Sequence, residues 1–169
     1  MNYLWKYETP EGFNHMWMSS DGEVLTGLWF EGSKDTGKQM RHGTEKLLPI
    51  FEETVRWLDL YFGGGVPDFE PAYRVGNLTD FRREVQEQMR EIPYGQTVTY
   101  GDIAREIAAK RGVSRMSAQA VGGAIGANPI CIIVPCHRVM GAGGKLTGYG
   151  GGIENKKALL RLEGIAFRE

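Results

Sequence analysis

Hydrophobic residues follow two different patterns along the chain, one in its first third and another after Thr44. The first third contains three segments rich in aromatic and β-branched residues, at positions 3–9, 13–20 and 23–31. Such side chains favour the pleated surface of a β-sheet. Asp21-Gly22 lies between the last two segments, and this dipeptide is typical of a β-hairpin turn. We therefore predict antiparallel strands in this part.

After Thr44 the hydrophobic residues recur at the spacing of an amphipathic helix. They are Leu47, Leu48, Phe51, Val55, Leu58 and Phe62. Pro49 is tolerated only near the first turn of such a helix, and Gly63-Gly64-Gly65 would end it. The following stretch, residues 64–76, is rich in glycine and proline and is typical of a linker.

A second helix is predicted directly after the linker. Thr79 or Asp80 can cap its N-terminus, and Pro93-Tyr94-Gly95 would end it. Its apolar positions are Phe81, Val85, Met89 and Ile92.

Two shorter helices follow, with a turn between them. The first is predicted to begin at Thr99 and to end at Gly112. The second is capped by Ser114 or Ser117 and runs to about Gly126. Two short helices joined by a turn suggest a helix-turn-helix, a motif that places its second helix in a groove of DNA.

The second of these short helices contains two adjacent glycines, Gly122 and Gly123. Each glycine costs roughly 1 kcal/mol relative to alanine inside a helix. Another group is therefore expected to come very close to the helix backbone. Tight packing on a neighbouring helix and insertion into a narrow DNA groove both satisfy this expectation, and the segment alone leaves both open.

The last part of the chain surrounds a cysteine. Residues 130–134 have the composition of a buried strand, and Pro135-Cys136-His137-Arg138-Val139 follows. A glycine-rich loop, residues 141–152, then leads to a final helix from Glu154 to Glu163. Strict strand alternation would put Cys131 and Cys136 on opposite faces, so we interpret Cys131 as a core residue.

The charge is distributed unevenly along the chain. The 169 residues, 41% of them hydrophobic, suffice for one ordinary domain or two small ones, and the net charge of −1 argues against a generic binder of polyanions. Residues 101–161 nevertheless carry nine basic side chains against three acidic ones, a local charge of +6, which leaves −7 for the rest. This asymmetry fits a phosphate-facing surface and an ordinary solvated face equally well.

Several other classes of protein are disfavoured. No apolar run is long enough to span a bilayer, and the N-terminus lacks an export signal, so we expect a cytoplasmic protein that enters no membrane. Cys131 and Cys136 form neither a disulfide framework nor a CxxC motif. His15 and His42 are interpreted as ordinary exposed or partly buried residues. We predict no metal and no cofactor.

Cys136 is the candidate nucleophile. It follows the predicted buried strand, is preceded by a proline and is followed by His137. A thiol becomes reactive when its pKa falls from about 8.5 towards neutrality, which an imidazole or a helix N-terminus can achieve. Neighbouring side chains often point apart, so the dipeptide alone is equally compatible with a structural role.

The residues around Cys136 resemble the methylated-DNA–protein-cysteine methyltransferases, also called 6-O-alkylguanine-DNA alkyltransferases. Asn128-Pro129 precedes the motif as in that family. Further blocks occur in the family's order and spacing: Ile92-Pro93-Tyr94-Gly95, Thr99-Tyr100-Gly101, residues 120–124, Leu146-Thr147-Gly148-Tyr149 and residues 156–164. The resemblance is strong from about Thr79 to Gly164 and loose over the first 75 residues.

The resemblance implies an α/β (α+β) protein of two domains that acts as a monomer. Residues 1–75 would form a small N-terminal ribonuclease-H-like domain of antiparallel strands plus a helix, together with the linker. Residues 76–169 would form a mostly helical C-terminal domain that binds DNA through a helix-turn-helix (winged-helix-like) motif and carries the alkyl acceptor.

The resemblance also implies catalytic roles for the matching residues. Cys136 would accept the alkyl group, His137 would take its proton through a bridging water, and Glu163 would orient His137. Asn128 would hold the turn before the strand, and Tyr100 would protonate the leaving base. The implied reaction is an irreversible, stoichiometric transfer from the 6-oxygen of guanine, and less readily from the 4-oxygen of thymine, after the base is flipped from the minor-groove side of duplex DNA.

Contacts with double-stranded DNA and the alkylated guanine are implied as well. The residues assigned to them are Gln119, Ala120, Gly122, Gly123, Arg138, Val139, Tyr149, Gly150 and Lys156. Tyr149 and Gly150 would belong to the loop that closes over the base. Many family members carry an arginine where this chain has Gln119, so we expect weaker and less salt-dependent DNA binding than an arginine would give.

Two other functions stay in view. Damage-binding relatives recognise alkylguanine without repairing it, but they replace the nucleophile, typically by tryptophan, whereas this chain has Cys136. A cysteine hydrolase would use the same Cys136 and His137. Such hydrolases usually bring their histidine from a distant segment of the chain.

Overall fold

A computed structural model describes residues 1–33, 43–76 and 78–169 of the chain. Its first part is a sheet of four strands, namely β1 (Tyr3–Tyr7), β2 (Met16–Ser20), β3 (Leu25–Phe30) and β4 (Thr44–Glu45). His15 is half-buried, and its Nδ1 accepts a hydrogen bond from the Thr9 N–H at 3.2 Å, as expected of an ordinary residue. His42 lies outside the described residues.

The strand order is β3-β2-β1-β4, and both β1–β2 and β2–β3 are antiparallel. This arrangement confirms the predicted strands. The hairpin turn is also confirmed, because Asp21 Oδ1 accepts hydrogen bonds from the N–H groups of Glu23 and Val24 at 2.9 and 3.1 Å. Gly22 adopts a φ of +110°, which favours glycine.

Helix α1 (Pro49–Phe62) begins five residues later than the change of pattern at Thr44 indicated. Thr44 and Glu45 instead pair with β1 in parallel, and the Thr44 N–H donates to the Asn2 carbonyl at 3.0 Å. Pro49 has no N–H and occupies the first helical position, so the helix begins there. Gly63 ends it, as predicted.

The three predicted helices that follow are confirmed. They are α2 (Asp80–Arg90), α3 (Tyr100–Arg111) and α4 (Ala118–Gly126). Thr79 caps α2, Ser117 caps α4, and Thr99 forms a reciprocal capping box with Asp102 at the start of α3. Gly112 ends α3 in the left-handed conformation, with a φ of +68°.

The predicted strand at residues 130–134 is wrong. Only Ile130 makes a β-bridge, to Leu28, and the chain then turns so that the Val134 N–H donates to the Ile130 carbonyl at 3.1 Å. Ile132 within this turn has a φ of +69°, an unfavourable value for a β-branched residue. The composition of residues 130–134 correctly indicated that they are buried, but their local backbone hydrogen bonds form a turn instead of a strand.

The remaining elements surround this turn. A short helical turn at Cys136–Arg138 leads into β6 (Val139–Met140), which pairs in parallel with β5 (Val98–Thr99). Helix α5 (Ile153–Leu162) closes the chain and lies within one residue of the predicted helix.

One hydrophobic core extends from the sheet into the helices. It includes Leu28 of β3, Phe51 of α1, Ile107 of α3 and Leu159 of α5, all fully buried. The segment 64–76 has no helix or regular strand, as a linker should, yet its Arg74 N–H donates to the Leu25 carbonyl and so joins β3. Among the described residues, no helix is long and apolar enough to cross a membrane.

Candidate active site

Cys136 is buried at the first position of the short helical turn, with 6% of its surface exposed. Its side chain lines a pocket together with Tyr100, Asn128, Cys131 and Tyr149. Glycines of α4 and of the glycine-rich loop complete the lining. The candidate nucleophile therefore lies beside the helix that was predicted to enter a DNA groove.

Asn128 holds the turn that carries Cys136. Its Nδ2 donates to the carbonyls of Ile130 and Val134 at 3.2 and 3.0 Å and lies 3.2 Å from Cys136 Sγ. Its Oδ1 accepts from the Ile130 N–H at 3.1 Å. The side chain thus satisfies buried backbone groups and contacts the thiol, which is the placement expected of a residue that supports the site.

His137 and Glu163 form a buried pair behind Cys136. Nε2 of His137 lies 2.6 Å from Oε2 of Glu163, and neither side chain is exposed. A carboxylate can only accept, so Nε2 carries the proton and Nδ1 offers its lone pair. No protein group within the described ranges hydrogen-bonds Nδ1. The histidine is therefore oriented to accept a proton at Nδ1.

Burial is the main influence on His137, and it lowers the pKa of the imidazole below its ordinary value of 6.5 against the opposing effect of Glu163. Burial alone would raise the pKa of the Glu163 carboxyl. Hydrogen bonds and charge from His137 and Arg138, with a hydrogen bond from the Gly95 N–H, outweigh it and lower that pKa to about 2. At neutral pH the pair is a neutral imidazole beside a carboxylate.

Arg138 and Gly95 complete the setting of Glu163. Arg138 Nε donates to Oε1 at 2.8 Å, and the Gly95 N–H donates to the same oxygen at 3.0 Å. A further Arg138 nitrogen donates to the Ile92 carbonyl. Arg138 was predicted to contact DNA or substrate, but the structure uses its guanidinium to hold the carboxylate.

Tyr61 is a member of this cluster that sequence reasoning missed. Its hydroxyl donates to Glu163 Oε2 at 2.5 Å and lies 3.5 Å from His137 Nε2. Tyr61 belongs to the last turn of α1, 76 residues before His137. Its position on the apolar face of that helix carries no signal that distinguishes it from an ordinary core residue.

Lys156 was predicted to contact DNA or substrate, yet only 1% of it is exposed. Its Nζ donates to the Val139 carbonyl at 2.9 Å and to Thr147 Oγ1 at 3.2 Å. Thr147 Oγ1 lies 2.8 Å from the Tyr100 hydroxyl, so a hydrogen-bonded chain leads from the ammonium to the pocket. Val139 is also fully buried. Burial lowers the pKa of Lys156 to about 8.

Tyr149 and Cys131 also line the pocket. Burial, and then the two thiols of Cys131 and Cys136, raise the pKa of the Tyr149 phenol. Cys131 and Cys136 therefore face one pocket, and the expectation of opposite faces is wrong because a turn replaces the strand between them. Gly150 also lines this pocket.

Helix α4 presents a bare surface. Gln119, Ala120 and Gly123 are exposed. A Cβ added at Gly123 would meet nothing within 4 Å, and one at Gly122 would meet only the Tyr100 ring at 3.9 Å. Packing among the described residues therefore does not require either glycine, which removes tight helix packing as their explanation.

The chain is similar to known DNA-repair proteins. Residues 80–165 match the family model described as 6-O-methylguanine DNA methyltransferase, DNA binding domain. A methylated-DNA–protein-cysteine methyltransferase of Haemophilus influenzae is 38% identical over 165 residues, covering 98% of this chain and 88% of the relative.

Solved structures agree with this similarity. The crystal structure of the O6-methylguanine methyltransferase of Mycobacterium tuberculosis has a TM-score of 0.80 at 41% identity, covering 96% of this chain and 93% of that one. The structure of Mycobacterium tuberculosis OGT in complex with DNA also has a TM-score of 0.80, at 40% identity, covering 95% and 92%. The chain therefore belongs to the family of methylated-DNA–protein-cysteine methyltransferases.

Proposed function

We propose that this chain repairs DNA by moving an alkyl group from the 6-oxygen of guanine onto Cys136, once per molecule. Its family membership establishes DNA repair by alkyl transfer to a cysteine. The observation that carries the assignment to Cys136 is its place in a pocket beside α4, next in sequence to a buried histidine that is paired with Glu163.

The proton of Cys136 is removed by His137. The neutral imidazole offers Nδ1 as the acceptor, through a bridging water, while Nε2–H stays bonded to Glu163. The imidazolium that forms is stabilised by the adjacent carboxylate. The thiolate then attacks the alkyl carbon and the guanine leaves through its oxygen. The resulting thioether has no easy hydrolytic route back, so the molecule acts once.

The leaving guanine takes a proton from Tyr100. Lys156 donates to Thr147 Oγ1, and the Thr147 hydroxyl lies 2.8 Å from that of Tyr100. In the proposed reaction the Thr147 hydroxyl donates to Tyr100, so that the phenol hydrogen points into the pocket. The ammonium thus assists the leaving group from within the protein. Lys156, Val139 and Arg138 position the reacting groups and do not touch the DNA backbone.

Double-stranded DNA that contains alkylated guanine is the partner. Helix α4 enters the minor groove, where Gly122 and Gly123 let its backbone approach the DNA closely. The exposed Gln119 and Ala120, near the start of the helix, enter the groove with it. The damaged base is flipped into the pocket, because an alkyl group within the stack cannot reach a buried thiol. Tyr149 and Gly150 border the base, and thymine alkylated on its 4-oxygen is accepted less readily. The DNA complex of the Mycobacterium tuberculosis relative supports DNA as the partner.

The architecture follows the same proposal. Residues 1–75 form a ribonuclease-H-like domain with its linker, and residues 76–169 form the DNA-binding and alkyl-acceptor domain. Helices α3 and α4 act as a helix-turn-helix of the winged-helix-like kind, and the protein works as a monomer. The exposed surface of α4 and the turn at 112–117 support the assignment of DNA binding to helices α3 and α4.

Mass spectrometry after incubation with duplex DNA containing 6-O-methylguanine tests the proposal. We expect one methyl group per molecule, located on Cys136, and none on Cys136→Ser, which should still bind the DNA. Cys131→Ser should still take up one methyl group. Unmodified wild-type protein that binds the lesion would instead indicate a damage-binding protein, and catalytic turnover of an ester or peptide would indicate a hydrolase.

A further inference from the structure

Tyr61 lies in the part of the chain that precedes the matched family domain, yet its hydroxyl reaches the catalytic cluster. The family model matches residues 80–165, which include Cys136, His137 and Glu163 but not Tyr61. The hydroxyl donates to Glu163 Oε2 at 2.5 Å. The cluster is therefore completed by a residue of α1, 102 positions before Glu163.

Tyr61 and His137 make the two shortest hydrogen bonds to one oxygen of Glu163. Oε2 of Glu163 accepts from Tyr61 at 2.5 Å and from His137 Nε2 at 2.6 Å, and it also accepts a longer bond from Arg138 Nη2 at 3.2 Å. The other oxygen, Oε1, accepts from Arg138 and from the Gly95 N–H. Tyr61 therefore donates to the same oxygen that stabilises His137 when the imidazole is protonated.

The ring of Tyr61 is held rigidly in place. It is 1% exposed and stacks on Trp57, with ring centroids 5.5 Å apart. Phe62 and Tyr94 meet it edge to face at 5.4 and 6.1 Å. Burial, and then the negative charge of Glu163, raise the pKa of the phenol well above its ordinary value. The hydroxyl accordingly remains a protonated donor while His137 titrates.

We propose that Tyr61 is a positioning residue that sets the basicity of His137 by sharing the Glu163 oxygen to which His137 is bonded. The proposal rests on the proposed function, in which His137 is the base for Cys136. It assigns the N-terminal part of the chain a direct influence on the transfer reaction.

The direction of this influence follows from elementary electrostatics. A hydrogen bond to a carboxylate oxygen draws off part of its negative charge, so less of it stabilises an imidazolium on the same oxygen. Removing the Tyr61 hydroxyl therefore makes His137 a stronger base. Its protonation, which blocks proton transfer from Cys136, then begins at a higher pH.

The other ionisable groups around His137 do not explain such a change. Glu163 favours the imidazolium, whereas the positive charges of Arg138 and Lys156 disfavour it. Tyr94 lies against both Tyr61 and Arg138 and is a further phenol near Glu163. All of these groups stay in place in Tyr61→Phe, since the ring that packs against them is retained.

The test is the pH dependence of the single-turnover methyl-transfer rate at saturating DNA. In Tyr61→Phe we expect the acid limb, along which the rate falls as His137 is protonated, to move up by about half a unit to one unit. The NMR titration of the His137 imidazole should move in the same direction. An acid limb whose midpoint is unchanged would overturn the proposal, even if the rate were lower by the same factor at every pH.

Tyr7→Phe is the matched control. Tyr7 is also buried, and its hydroxyl donates to a carboxylate of α1, Asp59, at 2.7 Å. Its loss removes a bond of the same kind away from the Cys136 cluster. We expect the acid limb of this variant to coincide with that of the wild type, and an equal shift in both variants would overturn the assignment to Tyr61.

A second substitution covers the case in which Tyr61→Phe folds poorly. Site-specific 3-fluorotyrosine at position 61 keeps the ring and hydroxyl but makes the hydroxyl a stronger donor, so the acid limb should move down. A shift upward or none would contradict the proposal. Failure of wild-type protein to methylate Cys136 would overturn the proposed function itself, whereas normal wild-type transfer with unmoved variants overturns only the role of Tyr61.

Discussion

At the scale of single residues, the site combines several buried ionisable groups that cost stability. His137, Glu163 and Lys156 are almost completely buried, and Arg138 nearly so. Burying a charge is unfavourable unless hydrogen bonds and partners offset it, and such groups concentrate where chemistry needs them. Glu163 is fully compensated by four groups. Lys156 has only neutral oxygens as hydrogen-bond acceptors, so it is the costliest member of the set.

Lys156→Met should change the pH dependence of stability. The pKa of Lys156 is lowered from 10.5 to about 8 by burial, so between these values the unfolded chain binds more protons than the folded one. The contribution of Lys156 to wild-type stability therefore rises with pH across this window, by roughly 3 kcal/mol in total. The variant lacks this rise, and below pH 8 its free energy of unfolding should exceed that of the wild type. Urea unfolding at neutral pH and near the upper end of the window measures the difference.

Lys157→Met provides the comparison for this experiment. Lys157 is the next residue along α5, and its pKa is raised, first by the hydrogen bond that it donates to Glu169. Its removal should not abolish the rise in stability. If stability plotted against pH gives parallel curves for wild type and Lys156→Met, Lys156 is charged in the folded protein over the whole window.

Methyl transfer should also be slower in Lys156→Met, because Thr147 loses the hydrogen bond that Lys156 donates to it.

At the scale of elements, α4 is shaped for something outside the protein. Its capping serine and buried Val121, Ala124 and Ile125 hold it on the core. Its outer side carries glycines that no described neighbour requires. The helix therefore gives up intrinsic stability on the face that the proposed function turns towards DNA.

Gly123→Ala and Gly123→Leu should separate folding from DNA binding. A Cβ at this position meets nothing within 4 Å, so both variants should fold, and alanine should stabilise the protein by roughly 0.5–1 kcal/mol. Both should weaken binding to duplex DNA, leucine more strongly, because the added atoms hold the helix backbone away from the groove. Thermal unfolding and fluorescence anisotropy measure the two effects.

Gly76→Leu is a matched control for the added bulk. Gly76 is an exposed linker glycine with equally open space around an added Cβ. Its DNA affinity should equal that of the wild type. If Gly123→Leu binds DNA as tightly as Gly76→Leu does, α4 does not enter the groove.

At the scale of the whole molecule, the folded structure reduces the positive charge that residues 101–161 carry. Arg138 is turned inward, and Arg111 pairs with Glu84, which lies outside this range. Lys157 pairs with Glu169. Arg115 is exposed in the turn before α4 and makes no ion pair with any described residue. DNA attraction is therefore expected to rest on a few cations near α4 and not on a uniformly basic half of the protein.

Arg115→Gln should weaken DNA binding at low salt. If Arg115 meets one phosphate, the variant should lower the slope of log affinity against log salt concentration by about one. Arg56→Gln, which removes an exposed cation of α1, should leave the slope unchanged. Equal slopes for wild type and Arg115→Gln would place residue 115 away from the duplex.

Local sequence signals determined most elements because the physics that sets them is local. Caps at Thr79, Thr99 and Ser117, the Asp21 turn and Gly112 act within a few residues, so their elements were predicted at the right places. The motif around Cys136 likewise identified the family. The predicted strand at 130–134 failed because a buried hydrophobic run is compatible with either a strand or a turn.

Tertiary structure decided what each site residue contacts. The turn at 130–134 places Cys131 in the same pocket as Cys136. Arg138 and Lys156, for which DNA or substrate contacts were predicted, are buried and donate to Glu163 and Thr147. Tyr61 reaches Glu163 across 102 positions of sequence. The sequence by itself determined the chemical groups and the helices that carry them. Which proton donors share one carboxylate oxygen depends on packing between distant segments, and no local pattern records that packing.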